Sequence, residues 1–298
     1  MGILLSVIRY LGSLILDDEE KEKEKPINPV QFFQENNYSG RNNIVENDTT
    51  VKSLIVDDEE KEKEKPIFGQ SNSDRNNIVE CLSGVNDTVK NRAPAKGTTR
   101  WITYYSDRHR ILLVGEGDFS FSTCLARAFG WAPNMIATSL NPEEFLVKNY
   151  ENALPNLVEL GIRKCKVIHG IDATIMASHK FLGGIKFDRI IFNFPFAGFF
   201  SNLSTDAKLR RHRRLVSLFL KNAKQMVSEN GEIHISHKTN GVHAEWKLES
   251  IASSHGLMLK EAVDFNLHHY PGYNTKRGFG GDDNFNCYPS KTYKFGLK

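Results

Sequence analysis

The chain has 298 residues with 39 Lys and Arg against 36 Asp and Glu, long enough for one large domain carrying an appendage. Met1 to Arg100 hold 14 basic against 18 acidic residues and the remainder 25 against 18, so the C-terminal two-thirds is basic and suits a polyanion such as RNA, without requiring one. Cys81, Cys124, Cys165 and Cys287 are widely spaced, with no CxxC and no short pairing to histidine, which excludes a zinc motif or a disulfide framework, and no apolar run reaches the ~18 residues of a membrane span.

Residues 1–100 read as a low-complexity, internally duplicated extension. SLILDDEEKEKEKPI at Ser13 to Ile27 returns as SLIVDDEEKEKEKPI at Ser53 to Ile67, and RNNIVE occurs at Arg41 and Arg75. Two copies are too few for a stacked solenoid, and each is dominated by charge, so disorder is expected. MGILLS at the start fits an N-myristoylation pattern at Gly2, and membrane contact is expected only if that glycine is lipidated. Asn47 and Asn86 match the glycosylation acceptor pattern, which is inert in a cytosolic or nuclear chain.

Residues 101–298 alternate short apolar runs with amphipathic stretches, the pattern of an α/β fold with a Rossmann-like open sheet. The runs predict strands at Ile111 to Val114, Met135 to Thr138, Lys166 to Ile168, Arg189 to Asn193, Glu232 to His237, Leu257 to Phe265 and Thr292 to Phe295. The clearest helix is Leu209 to Val227, where Leu215, Leu218, Phe219, Asn222, Ala223 and Met226 recur at spacings of three and four. Arg210, Arg211, Arg213 and Arg214 crowd its first turns, where the helix dipole disfavours cations and an RNA phosphate would relieve them.

ILLVGEGDFSFS joins the first strand to a helix near Ser120. Gly115 and Gly117 allow a sharp turn and close ligand approach, and Asp118 or Ser120 can cap the helix. Ser120 stands where a dinucleotide fingerprint has its third glycine, and Asn141 after the second strand replaces its ribose-binding acid. Both count against a nicotinamide-dependent oxidoreductase. A cofactor without phosphate tolerates the bulkier Phe119. Ser139 and Asn141 at the second strand's end, and Asp172 in IDAT after the third, complete the expected cofactor wall, with Asp172 placed either to accept from an adenine amine or to cap the helix of the next segment.

FDRIIFNFPFAGFF ends the fourth strand. Asn193 can present its side-chain carbonyl to a ring N–H, Pro195 stiffens the turn, and Phe194 or Phe196 can stack on a base, whereas Phe199 and Phe200 read as packing. HISHKT ends the fifth strand with His237 and Lys238 near the pocket, and YPGYNTKRGFGGDDNF, with Lys276 and Arg277, suits a nucleic-acid lid.

VGEGDFSFS, ATSLN, HGIDAT, FDRIIFNFPFAG, GEIHISHKT and YPGYNTKRG, all in order, make the chain from Arg110 to Lys298 resemble the eukaryotic large-subunit (25S-type) rRNA uridine-N3 methyltransferase family and its plant relatives. The resemblance implies a class I methyltransferase fold with an antiparallel last strand, S-adenosylmethionine as cofactor, no metal, and methylation of a uridine ring nitrogen in rRNA. It implies nucleolar or nuclear residence, with the cytoplasm as the other compartment compatible with the sequence. Gly115, Glu116, Gly117 and Asp118 occupy the family's cofactor-loop positions, and Asn193 and Pro195 its catalytic-loop positions. Phe196 stands where members commonly carry histidine, which leaves a catalytically inactive RNA-binding or regulatory protein as the alternative. In the mechanism this implies, Asn193 orients the imide, His237 or Asp118 takes the proton, and Lys238 stabilises charge on a neighbouring carbonyl oxygen.

Overall fold

The computed structural model describes residues 98–279 and 281–298. Gly2 and both duplicated segments lie outside them. A short hairpin, β1 (Trp101–Ile102) and β2 (Tyr105–Ser106), precedes β3 (Ile111–Leu113). Then follow α1 (Ser120–Phe129), β4 (Met135–Ser139), α2 (Glu143–Asn149), α3 (Ala153–Ile162), β5 (Lys166–His169) and β6 (Phe187–Asn193). The long α4 (Thr205–Met226) leads into β7 (Val227–Lys238), α5 (Leu248–Ser254) and β8 (Leu257–Asp264), and β9 (Lys276–Arg277), β10 (Gly281–Asn284) and β11 (Ser290–Leu297) complete the order.

Seven strands form one sheet in the order β5-β4-β3-β6-β7-β11-β8. β3 to β7 run parallel, and β11 inserts antiparallel between β7 and β8. This is the Rossmann-like sheet of class I methyltransferases, with the antiparallel insertion where the resemblance puts it. Alternation of side chains drives a two-faced core. Leu112, Ile190, Ile233 and Ile235 pack with α4 and α5 through Leu215, Phe219 and Ile251. Ile111, Leu113, Ala137 and Ile191 pack on the other face with Phe121 and Leu125 of α1 and Leu160 of α3. The chain turns opposite ways from β3 to β4 and from β3 to β6, so the ends of β3 and β6 open a crevice, the usual ligand position in such sheets.

α4 corrects one expectation. It starts at Thr205, not Leu209, with Ser204 Oγ accepting from the Ala207 N–H and Asp206 in the first turn. Arg210 to Arg214 therefore lie in the second and third turns, beyond the reach of the dipole argument. The arginines carry no frustration that a phosphate must relieve.

Candidate active site

The segment after β3 makes one wall of a cavity of about 590 Å³. Gly115 has φ 69°, and a Cβ there would stand 2.5 Å from Cε2 of Phe192, so the position admits glycine alone. The turn delivers two carboxylates to the start of α1. Asp118 Oδ1 accepts from Ser120 N–H at 3.0 Å and Oγ at 2.5 Å, and Glu116 Oε2 accepts from Ser122 N–H at 3.1 Å and Oγ at 2.6 Å. Both acids thus cap backbone donors that a dinucleotide pyrophosphate would need, which is the physical reason this loop suits a ligand without phosphate. Burial pushes Glu116 up to about 7 despite Ser122, and raises Asp118 against the pull of Ser120 and Lys276. Asp118 Oδ2 is buried with no hydrogen-bond partner.

Gly115, Glu116, Gly117, Asp118, Ser139 and Asn141 all line the cavity, as do Ile171 and Ala173. Two expected cofactor residues do not. Phe119 sits at φ 60° as the residue before α1 and is fully buried, with its ring 5.6 Å from His169, so it anchors the loop from beneath. Asp172 is buried with Oδ1 taking Thr174 N–H at 2.8 Å and Thr174 Oγ1 at 2.7 Å. Asp172 thus closes a turn on Thr174 and caps no helix, since the 3-10 turn Met176–Ser178 that follows takes no side-chain cap, and it does not line the cavity.

At the other end stands the turn after β6. Asn193, Phe194, Pro195 and Phe196 all reach the cavity. Phe194 takes φ 49°, a conformation rare for a bulky residue, and is held by its N–H on the Ser236 carbonyl and by its ring against Phe265 and Phe285. Asn193 Nδ2 is buried without a hydrogen-bond partner, and the Tyr273 hydroxyl adjoins the same side chain. Phe196 opens a column of rings. It stacks on His212 of α4 at 5.0 Å, His212 stacks on Trp246 at 4.6 Å, and Trp246 meets His237 of β7 at 4.3 Å. His212 Nδ1 also accepts from the Ala197 N–H at 3.2 Å, which fixes its proton on Nε2. Burial lowers His212 and His237 to about 4, so both are neutral at pH 7. His237 pairs Nε2 with the His243 carbonyl at 3.2 Å, and Lys238 Nζ donates to the Asn286 carbonyl at 2.8 Å.

The expected lid is the β9–β10 segment, pinned in place. Lys276 pairs with Asp282 Oδ1 at 2.9 Å, the Tyr150 hydroxyl donates to the Arg277 carbonyl at 3.1 Å, and Asn274 N–H donates to Ser120 Oγ at 3.0 Å. Lys276 is thereby committed inside the protein, while Arg277 is exposed. Sequence reading missed His212, His243 and Trp246 as neighbours of the site, whereas Tyr273 belongs to the expected lid. Trp246 and His243 lie in the 3-10 turn Gly241–Trp246, whose only sequence signal was an aromatic residue soon after the fifth strand.

Among the described residues no cluster of three or more His, Cys, Asp or Glu is placed to hold a metal, and no helix is long and apolar enough to cross a membrane. The family described as BMT5-like, rRNA (uridine-N3-)-methyltransferase, matches residues 112–277. The chain is 45% identical over 201 residues to Uncharacterized protein At4g26485 of Arabidopsis thaliana, covering 66% of this chain and 96% of that one. It is 44% identical over 197 residues to Heavy metal-associated isoprenylated plant protein 41 of the same organism, covering 65% of this chain but only 38% of that longer protein. Among solved structures, NSun6 from Pyrococcus horikoshii aligns with a TM-score of 0.41 at 15% identity, over 64% of this chain and 48% of that one, too distant to carry residue roles. With more than half its length matched, the chain belongs to the BMT5-like rRNA (uridine-N3-)-methyltransferase family, S-adenosylmethionine-dependent rRNA methyltransferases.

Proposed function

We propose that residues 101–298 transfer a methyl group to ring N3 of a uridine in large-subunit rRNA, with the cofactor bound at the Gly115–Asp118 end of the cavity and the base at the Asn193–Phe196 end. The cofactor end fits its ligand chemically. Two carboxylates, one with an unpartnered buried oxygen, face a cavity that would take a ligand cationic at sulfonium and ammonium. Ser139 and Asn141 stand where ribose hydroxyls need partners, without the charge assistance an acid would give. When bound, S-adenosylmethionine supplies an already activated methyl group, so the protein's work is alignment and proton removal.

The observation that carries the base end is Asn193. Sequence reading assigns its carbonyl to the ring N–H, but the atom left buried and unpartnered is the amide Nδ2, a donor. It suits a carbonyl beside N3, where negative charge develops as the N3 proton leaves. Phe196, backed by its ring column, stacks on the base. Of the two expected proton acceptors, Asp118 stands in the cofactor turn, whereas His237 lines the base end on Trp246 and is kept neutral by burial, so His237 is the acceptor within reach of the base. Lys238 keeps two ammonium protons beyond the one given to Asn286, enough to meet a second carbonyl oxygen. Arg210, Arg211, Arg213, Arg214 and Arg277 provide phosphate contacts, Lys276 braces the β9–β10 hairpin through Asp282, and the site of action is the nucleolus, where pre-rRNA is modified.

Asn193→Ala tests the assignment. Methyl transfer to rRNA falls by roughly 100-fold or more, while calorimetry finds cofactor affinity within about threefold of the parent, since no cofactor wall is touched. Full retained activity on rRNA would remove Asn193 from the mechanism.

A further inference from the structure

The mouth of the cavity carries an aromatic face that methyl transfer itself does not use. Phe199 is 45% exposed yet lines the cavity, edge-on to Phe196 at 4.8 Å and to Phe279 at 6.4 Å. One leaf comes from the turn after β6 and the other from the cover segment. Gly198 sets the path that brings Phe199 outward. Its φ is 129°, and a Cβ there would lie 3.3 Å from Phe200 and 3.4 Å from Phe279. Sequence reading takes Phe199 for core packing. A large ring left in water at a cavity rim is instead an unmet contact.

Charge says what would cover it. Arg211 of α4 lies over Phe200, the next residue, with its guanidinium 5.0 Å from the ring centre, and Arg210 beside it in the chain is exposed. Stacking rings with a guanidinium laid beside them match a single-stranded nucleic acid, whose bases offer π-faces and whose backbone needs cations. A bare apolar partner would make no use of the Arg211 guanidinium.

We propose that Phe199, together with Phe279, is a stacking clamp for the nucleotide adjacent to the target uridine, so that the protein takes its uridine from an unpaired stretch of RNA. This rests on the base-end reading above. Phe196 serves the target base inside the cavity, and Phe199 serves its neighbour at the rim. In a continuous duplex that neighbour stays stacked on both faces until the target is extruded, so an unpaired strand meets the ring without the cost of unstacking.

The test uses the full chain with short RNA oligonucleotides that hold one uridine unpaired, carrying 2-aminopurine on its 5′ or its 3′ side. Binding quenches the fluorescent base in one of the two oligonucleotides, and annealing a complement weakens binding about tenfold or more. Phe199→Ala abolishes the quench and weakens single-strand binding about tenfold, within the range of one lost base stack, while Phe199→Trp restores both. Cofactor affinity by calorimetry stays within twofold in each variant, which certifies folding. An unchanged quench and affinity in Phe199→Ala, or equal affinity for the duplex, overturns the clamp. Should the parent show the quench but methylate no uridine, the base-end chemistry falls and the clamp stands. Should it methylate uridine with Phe199→Ala indistinguishable, the reverse holds.

Discussion

The two ends of the cavity are built from different materials. At the cofactor end the wall is backbone and carboxylate, with Gly115 turned into positive φ and Glu116 and Asp118 locked by Ser122 and Ser120. At the base end it is a run of rings, Phe196, His212, Trp246 and His237, drawn from four separate chain segments. Steric exactness over three or four consecutive residues decides the first. Tertiary packing of distant residues decides the second. A substitution at the cofactor end should therefore act on binding and folding together, and one at the base end on turnover with binding spared.

The largest effect is expected from Gly115→Ala. A methyl group at φ 69° costs about 1–2 kcal/mol in backbone strain, and the Phe192 ring 2.5 Å away must move within a packed core, adding roughly 1–3 kcal/mol. Cofactor affinity should drop about 100-fold and the melting temperature should fall with it. Calorimetry and thermal unfolding measure the two, and a variant that binds normally would mean the glycine is dispensable to the loop.

His212→Leu strikes the other end. It removes the acceptor of the Ala197 N–H and the ring between Phe196 and Trp246, yet His212 is not part of the cofactor wall. Turnover should fall about tenfold, in line with one lost hydrogen bond and stack, with cofactor affinity within twofold. His212→Phe keeps a ring in the column and should recover part of the rate without restoring the Ala197 bond. Equal losses in the two variants would show that the hydrogen bond alone matters, and equal losses in cofactor affinity and turnover would erase the distinction between the ends.

The same contrast explains what could be read in the sequence. The five parallel strands of the sheet were legible because buried parallel strands are short apolar runs, and the GEGD turn was legible because its constraints are local. Asp172 was ambiguous for a physical reason: an acid two residues before Thr174 suits a helix cap, a turn and a ligand alike, and only the observed Thr174 bonds show the turn. The start of α4 was misplaced because Leu209 is its first apolar residue, whereas Ser204 and Asp206 mark the true start by capping. β10, GDDN, has little strand propensity and exists through its pairing with β9 and the Lys276–Asp282 bridge. His212, Trp246 and His237 are 25 residues or more apart in part of their span, so no local pattern announces that they stack.

The smallest expected effect separates the ends by pH. Burial holds Glu116 near pH 7 against an ordinary value of 4.5, with the neighbouring Asp118 charge adding to the rise. A raised folded value means that the stability tied to the neutral carboxyl is complete below 4.5 and is lost as pH climbs through 7. A cationic cofactor reverses the preference, because it favours the ionised form. Its affinity should rise between pH 6 and pH 8, by less than about tenfold per unit, with a proton released on binding below pH 7. Glu116→Gln should flatten that slope and bind more weakly at pH 8, whereas Phe199→Ala should leave it intact, since its ring lies at the rim and carries no titrating group. Calorimetry at pH 6, 7 and 8 in buffers of different ionisation enthalpy counts the proton directly. A slope surviving in Glu116→Gln would move the titrating group to Asp118, the other carboxylate of the same turn.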